Sequence, residues 1–146
     1  MADPSFQEQI VAFVRAFGLH RPDQTPCGQP MSVAEAHALT ELARDAPSSQ
    51  KDLAARLGLE KSTVSRLVCH LEDRGWIERR RSALDGRALN VVLTDSGRNI
   101  AAAVAAARAQ KMERVLRAIP ETQRPAVIAA LGTLVEAIRD SSDQDR

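Results

Sequence analysis

The chain has 146 residues, the size of one domain with its own core. Its formal net charge is only +1, but residues 49–98 hold ten Lys and Arg against seven Asp and Glu, so the basic character is local. Two cysteines exclude a disulfide framework and, with no signal-like N-terminus, predict a reducing cytoplasm; no apolar run reaches the roughly 18 residues that cross a bilayer.

The first predicted helix covers residues 4–18. Its apolar residues share one face at helical spacing: Phe6, Ile10, Phe13, Val14 and Phe17. A chain-terminal helix this apolar has few internal neighbours, which favours a subunit interface; packing on the chain's own core is the alternative. A loop with three prolines follows over residues 20–30, and Ser32 with Glu35 forms a capping box for a helix that ends near Asp45.

Two short helices joined by a tight turn are predicted next. Ser49 is the N-cap of the first, Asp52 occupies its third position, and Gly58 can end it in the left-handed conformation. The second covers residues 61–74, with an apolar stripe of Val64, Leu67, Val68 and Leu71. Its other side carries Ser62, Ser65, Arg66, Cys69 and Asp73. This spacing indicates a helix-turn-helix.

A basic β-hairpin is predicted after the second helix, which Gly75 ends. Two β-prone segments flank Asp85-Gly86, a pair that accepts the positive φ of a tight turn. Residues 74–87 hold five arginines against two acids. A basic hairpin directly after a helix-turn-helix is a winged helix, whose wing can reach into a minor groove.

Two further helices complete the chain. Thr94 is a good N-cap for an alanine-rich helix over residues 95–118, about 36 Å long at 1.5 Å per residue. Pro120 ends it, and a last helix near residues 123–140 repeats apolar positions. The tail, residues 141–146, is polar and predicted to be disordered.

The central region resembles the MarR family of bacterial transcription regulators, the multiple-antibiotic-resistance repressors. The similar stretches are QKDLAARLGLEKSTVSRLVCHLEDRGWIERR and DGRALNVVLTDSG, and the second holds the family's wing pattern in Asp85, Arg87, Leu93 and Thr94. The resemblance implies a mainly α fold with a small β-wing, a winged helix-turn-helix lobe at residues 32–94, and dimerisation helices at residues 1–20 and 95–140. All would form one MarR-like domain.

The resemblance also implies a function and partners. We expect a sequence-specific regulator of double-stranded DNA that acts in the bacterial cytoplasm, on the nucleoid. It would be a homodimeric repressor on a palindromic operator, modulated by a small-molecule or redox signal. A dimer places two recognition helices one helical turn apart, roughly 34 Å. No cofactor is expected.

The candidate DNA contacts lie on the second helix and the wing. Ser62, Thr63 and Ser65 would contact phosphates or base edges near the positive helix end, with capping and solvation as the alternative. Arg66 is the candidate for base readout at guanine, and Lys61 for a phosphate.

On the wing, the resemblance places Arg87 in the minor groove and has Asp85 fix the hairpin by pairing with a nearby arginine. Arg80 and Arg81 would lie near phosphates, with a solvated charge run as the alternative.

Cys27, His37 and Cys69 are candidates for an effector or redox site, and Cys27 with His20, Glu35 and His37 makes a chemically reasonable zinc set without standard spacing. Ordinary packed or surface residues remain the alternative, and no metal is expected.

The chain offers no phosphate-binding glycine loop and no catalytic triad order, so an enzyme is excluded. Two functions besides an effector-modulated repressor stay open. One is a winged-helix protein-interaction module that does not bind DNA, and the second is a metal- or redox-sensing regulator that uses Cys27.

Overall fold

The computed structural model describes residues 3–46 and 48–144. The elements in chain order are α1 (Pro4–Phe17), α2 (Val33–Arg44), β1 (Ser48–Ser49), α3 (Gln50–Leu57), α4 (Lys61–Asp73), β2 (Ile77–Arg81), β3 (Leu89–Leu93), α5 (Asp95–Ala118), a 3-10 turn (Glu121–Gln123) and α6 (Arg124–Gln144). The predicted fold class, mainly helical with a small β-wing, is confirmed. No helix of the described residues is both long and apolar enough to cross a membrane.

Side-chain caps fix where the helices begin. Ser32 accepts a hydrogen bond from the Glu35 N–H at the start of α2, and Ser49 accepts one from the Asp52 N–H at the start of α3. Each cap satisfies a backbone donor that has no partner inside the helix. Gly58 ends α3 at a φ of 66°, so the turn between α3 and α4 is as tight as the sequence predicted.

One apolar core joins the helix-turn-helix to the sheet and to the start of α5. The stripe of α4 is fully inside it, together with Leu39 and Leu42 of α2 and Leu53 of α3. Ala101 and Val104 of α5 belong to the same core. The first part of α5 therefore supports the winged helix, whereas the sequence prediction assigned the whole of residues 95–140 to dimerisation.

The sheet has three antiparallel strands in the order β1-β3-β2. The sequence predicted only the β2–β3 hairpin and a chain break at Pro47 and Ser48. Ser48 instead begins β1 and pairs with Val91 of β3, while Pro47 lies outside the described residues. Two serines carry no alternating apolar pattern, so β1 had no sequence signal.

The tip of the wing differs from the predicted tight turn. Seven residues, 82–88, connect β2 to β3, and Gly86 is not among the described glycines with positive φ. The longer loop does not need the left-handed conformation that an Asp-Gly hairpin turn requires.

The described residues divide into two compact units, one ending at Arg108 and one beginning at Ala109. The second unit contains the end of α5, the 3-10 turn and α6. α6 continues to Gln144, where the hydroxyls of Ser141 and Ser142 donate to the Ile138 carbonyl. The predicted disorder is therefore wrong for residues 141–144, and residues 145 and 146 lie outside the described part.

Candidate nucleic-acid interface

Helix α4 has one buried and one exposed face. Val64, Val68 and Leu71 are 0 % exposed and Leu67 is 8 % exposed. Lys61, Ser62, Ser65, Arg66 and Cys69 are exposed, and Thr63 is half-buried. Among the residues that the structure describes, the Lys61 and Arg66 side chains have no ion pair or hydrogen-bond partner. Both cations are therefore available to a ligand.

The N-terminus of α4 lacks a side-chain cap. Glu60 occupies the N-cap position, but its carboxylate makes no capping hydrogen bond. The first-turn backbone N–H groups and the helix dipole thus face solvent, which is an arrangement suited to a phosphate oxygen. Glu60 is exposed beside them, so its charge opposes an incoming phosphate.

Arg79 of β2 connects α4 to its neighbours. Its Nη1 donates to Gln50 Oε1 of α3 at 2.8 Å, and its Nη2 donates to Cys69 Sγ of α4 at 3.4 Å. Its Nε lies 3.5 Å from a Glu72 carboxylate oxygen, as an ion pair without a directed hydrogen bond. Arg79 thereby holds the exposed face of α4 in place. Sequence reasoning treated it only as one cation of a charged run.

The neighbouring arginines of β2 point to different sides of the sheet, because side chains alternate along a strand. Arg81 shares the α4-facing side with Arg79 and is exposed. Arg80 points to the other side, forms an ion pair with Glu78, and lines a cavity of about 770 Å³ with Arg44 and Arg98. Arg80 therefore does not lie on the side of the wing where α4 presents its cations.

Hydrogen bonds order the wing tip. Ser82 Oγ accepts from the N–H groups of Leu84 and Asp85 at 3.2 and 3.3 Å. Asp85 Oδ1 accepts from the Arg87 N–H at 3.0 Å, and the Ser82 N–H donates to the Ala88 carbonyl at 2.8 Å. Asp85 thus supports the tip through the backbone of Arg87. The expected pairing with an arginine side chain is not formed among the described residues, and Arg87 is exposed.

Thr94 joins the base of the wing to the end of α4. Its hydroxyl donates to the Gly75 carbonyl at 2.6 Å and accepts from the Gly97 N–H at 3.0 Å. Its own N–H donates to the Trp76 carbonyl at 3.0 Å. The predicted N-cap of α5 therefore also connects the sheet to the end of α4.

The three candidate sensing residues lie on different elements and differ in exposure. Cys27 is half-buried in the loop before α2, and Cys69 is exposed on α4. His37 of α2 borders a cavity of about 190 Å³. Partial burial is the main cause that lowers the pKa of its imidazole, the positive charge of Arg108 lowers it further, and the negative charge of Glu41 opposes both effects. Within residues 3–46 and 48–144, no three His, Cys, Asp or Glu side chains converge on a possible metal position.

The fold defines a winged helix-turn-helix protein, and comparison with known proteins agrees with this class. Residues 29–88 match the model of the MarR family. An HTH-type transcriptional regulator of Mycobacterium bovis is 26% identical over 113 residues, covering 77% of this chain and 78% of that protein. The transcriptional repressor MprA of Escherichia coli is 44% identical over 46 residues, covering 32% of this chain and 26% of that protein.

A solved structure has the same fold along nearly the whole chain. The MepR–DNA complex of Staphylococcus aureus superposes with a TM-score of 0.73 at 22% identity, covering 94% of this chain and 99% of that one. The chain therefore has a winged-helix fold similar to that of solved transcription regulators, and its central residues 29–88 match the MarR family model.

Proposed function

We propose that the protein is a homodimeric, sequence-specific repressor that binds a palindromic operator in double-stranded DNA through α4 and the wing. The observation that carries the proposal is the division of α4. Its apolar stripe is wholly buried, while Lys61, Ser62, Ser65 and Arg66 face solvent beside an uncapped helix N-terminus. A surface with these groups fits the edge pattern of a major groove and its flanking phosphates.

Each exposed group has a role in this proposal. Arg66 reads a base edge, with guanine as the expected partner, because its guanidinium can donate to O6 and N7 together. Lys61 and the hydroxyls of Ser62, Thr63 and Ser65 hold phosphates or base edges at the helix end. Arg81 and Arg87 are the DNA contacts of the wing, and Asp85 supports the tip that carries Arg87. Because Arg80 faces the cavity and pairs with Glu78, we assign it to that cavity rather than to DNA.

The chain ends support dimerisation. Neither α1 nor α6 buries a single side chain, although both carry large apolar residues. The exposed ones on α1, α5 and α6 are Phe6, Val11, Phe13, Met112, Val115, Leu116, Ile128, Leu131, Val135 and Ile138. A second copy of the chain would cover these faces and bring two α4 helices to successive turns of a duplex. Repression rather than activation is supported by the similarity of 46 residues of this chain to MprA, which is named as a transcriptional repressor. The cytoplasm is the proposed location.

The proposed site for a modulating small molecule is the 770 Å³ cavity beside α2, the sheet and the first half of α5. Arg44, Arg80 and Arg98 supply positive charge, and alanine, leucine and valine side chains supply an apolar wall. A small organic anion with an apolar body fits this lining. Redox modulation through Cys27 or Cys69 is the second route, because both thiols are free.

Two binding titrations test the function, one with the duplex upstream of the protein's own gene and one with a scrambled duplex. We expect Arg66→Ala to lower the preference between the duplexes by roughly tenfold to a hundredfold, because base discrimination is lost. Arg87→Ala should weaken both duplexes alike, because a groove or phosphate contact carries little sequence information.

Arg80→Ala is the matched control and should change neither affinity by more than about twofold, since it removes the same charge from the other side of the sheet. Equal affinity of wild type and all three variants for both duplexes would contradict the assignment. A wild-type protein that retards no duplex would support an interaction module that does not bind DNA.

A further inference from the structure

We propose that Leu84, at the tip of the wing, is an apolar contact to the minor groove that adds to affinity independently of the arginines. The inference rests on the proposed function and extends it to a residue that the sequence did not single out. The Leu84 side chain is 100% exposed, the highest value among the large hydrophobic residues described. A single exposed leucine is ordinary on a protein surface, so exposure alone does not carry the argument.

Position distinguishes Leu84 from the remaining exposed apolar residues. Apart from Leu84 and Leu89, these residues lie on α1, just after it at Leu19, or on α5 and α6, where the proposed second copy covers them. The two leucines of the wing have no such cover. Leu89 pairs with Arg81 across the sheet and is half exposed, whereas Leu84 lies on the loop beyond both strand ends.

The loop presents Leu84 in an ordered conformation. The Leu84 N–H donates to Ser82 Oγ, and the N–H of the next residue, Asp85, donates to the same oxygen. The loop is closed by the Ser82–Ala88 and Ala88–Asp85 backbone hydrogen bonds, at 2.8 and 3.0 Å. Binding therefore costs little further ordering of the backbone, and a contact by the side chain can contribute most of its burial to affinity.

The charges around Leu84 fit a minor groove. Arg81 is the last residue of β2, Arg87 lies on the connection after Leu84, and both are exposed. Narrow minor grooves at A·T pairs have enhanced negative potential, which attracts arginine. They also lack the guanine N2 amino group, so the floor accepts an apolar side chain. Proteins that enter the minor groove combine these two features, basic side chains with an apolar residue such as leucine.

Apolar and ionic contacts respond differently to salt, and this difference makes the inference testable. Each phosphate contact by a cation releases counterions and steepens the dependence of log K on log salt concentration. Burial of a leucine releases none. Leu84 should therefore change the affinity and leave the salt slope unchanged, whereas Arg87 should change both.

The experiment uses the full-length protein and duplexes enriched by the wild type from a randomised pool. We expect Leu84→Ala to weaken binding roughly tenfold with an unchanged salt slope, because apolar area is no longer buried on DNA. Leu84→Met keeps apolar volume and should retain affinity within about threefold. Arg87→Ala should lower the slope by about 1. The melting temperature and oligomeric mass of Leu84→Ala should equal those of wild type, since the side chain touches nothing in the folded chain.

Exchange of base pairs beneath the wing locates the contact. Replacing A·T by G·C places an amino group on the groove floor and should weaken the binding of wild type more than that of Leu84→Ala. Inosine·C pairs lack that group and should restore the higher affinity of wild type over Leu84→Ala. Wild-type affinity for Leu84→Ala, a reduced salt slope, a lowered melting temperature or an altered mass would each overturn the inference while the proposed function stands. Failure of wild type to enrich any duplex would overturn both.

Discussion

Gly97 lies where the wing meets α5, and the backbone there leaves no room for a side chain. A Cβ at this position would be 1.8 Å from the Trp76 carbonyl oxygen, which itself accepts the Thr94 N–H. We predict that Gly97→Ala lowers the free energy of unfolding by about 2 kcal/mol or more, because the contact is with backbone that cannot rotate away. Urea denaturation of both proteins measures the difference.

Gly132 of α6 provides the control for that substitution. A Cβ there meets nothing within 4 Å, so Gly132→Ala should leave stability unchanged or raise it by up to about 1 kcal/mol through helix propensity. Equal effects of the two substitutions would contradict the role of the close approach at Gly97.

The sequence predicted the exposure of interface residues where the spacing of neighbouring apolar residues determines it, but not their contacts with distant parts of the chain. The exposure of Lys61, Ser62, Ser65 and Arg66 follows from the 3.6-residue period of α4, because the apolar stripe fixes which side faces the core. The contacts of Arg79 do not follow, because Gln50 lies 29 residues away along the chain. Which side of the sheet Arg80 faces depends on the alternation of side chains along β2, and the polar run from Glu78 to Arg81 has no apolar alternation that specifies it. The DNA contacts themselves stay predictions.

At the scale of elements, the sequence predicted helices better than strands. The predicted range of α5 is confirmed at residues 95–118, and those of α1, α2 and α4 agree to within about one residue, because caps and apolar period agree. β1 was missed. The tight Asp-Gly turn was also wrong, because β2 ends at Arg81 and β3 begins only at Leu89. The end of α6 was also wrong: a polar composition predicts solubility of residues 141–144 but does not exclude a helix.

The cavity between α2, the sheet and α5 gives a prediction that belongs to these elements. Benzoate, as a small anion with an apolar body, should raise the melting temperature of wild type and weaken its retention of DNA. Arg44→Gln should reduce both responses, because it removes one of the three cations of the lining. Its partner Glu41 keeps a second ion pair with Arg56, so it is not left without a cation. Thermal scans over a benzoate series make the measurement; the same response in both proteins would exclude this cavity as the site.

At the scale of the molecule, dimerisation is the prediction on which affinity for a palindrome depends. Phe13 of α1 is 49% exposed and stacks on Phe17 at a centroid distance of 5.5 Å. We expect Phe13→Asp to give a folded monomer with at least tenfold weaker DNA binding, because a buried charge opposes association and one α4 contacts only a half-site. Light scattering after size exclusion and a binding titration make the measurements.

Ala12→Asp is the control, because it places the same charge on a different side of α1, where the residue is also exposed. It should leave both the mass and the affinity near wild type. A dimeric Phe13→Asp protein, or a monomeric wild type that still binds a palindrome cooperatively, would contradict the proposed assembly.

The contacts of Arg79 limit how the proposed DNA specificity of α4 could be changed. Cys69 and Glu72 are exposed positions of α4, and a graft of a different recognition sequence would ordinarily replace both. Such a graft would leave the half-buried guanidinium of Arg79 without its two partners on α4. We therefore expect the grafted helix to pack in a different orientation. A change of specificity should therefore vary only Arg66 and the exposed residues of the first turn of α4. The alternative is to exchange residue 79 together with the whole helix.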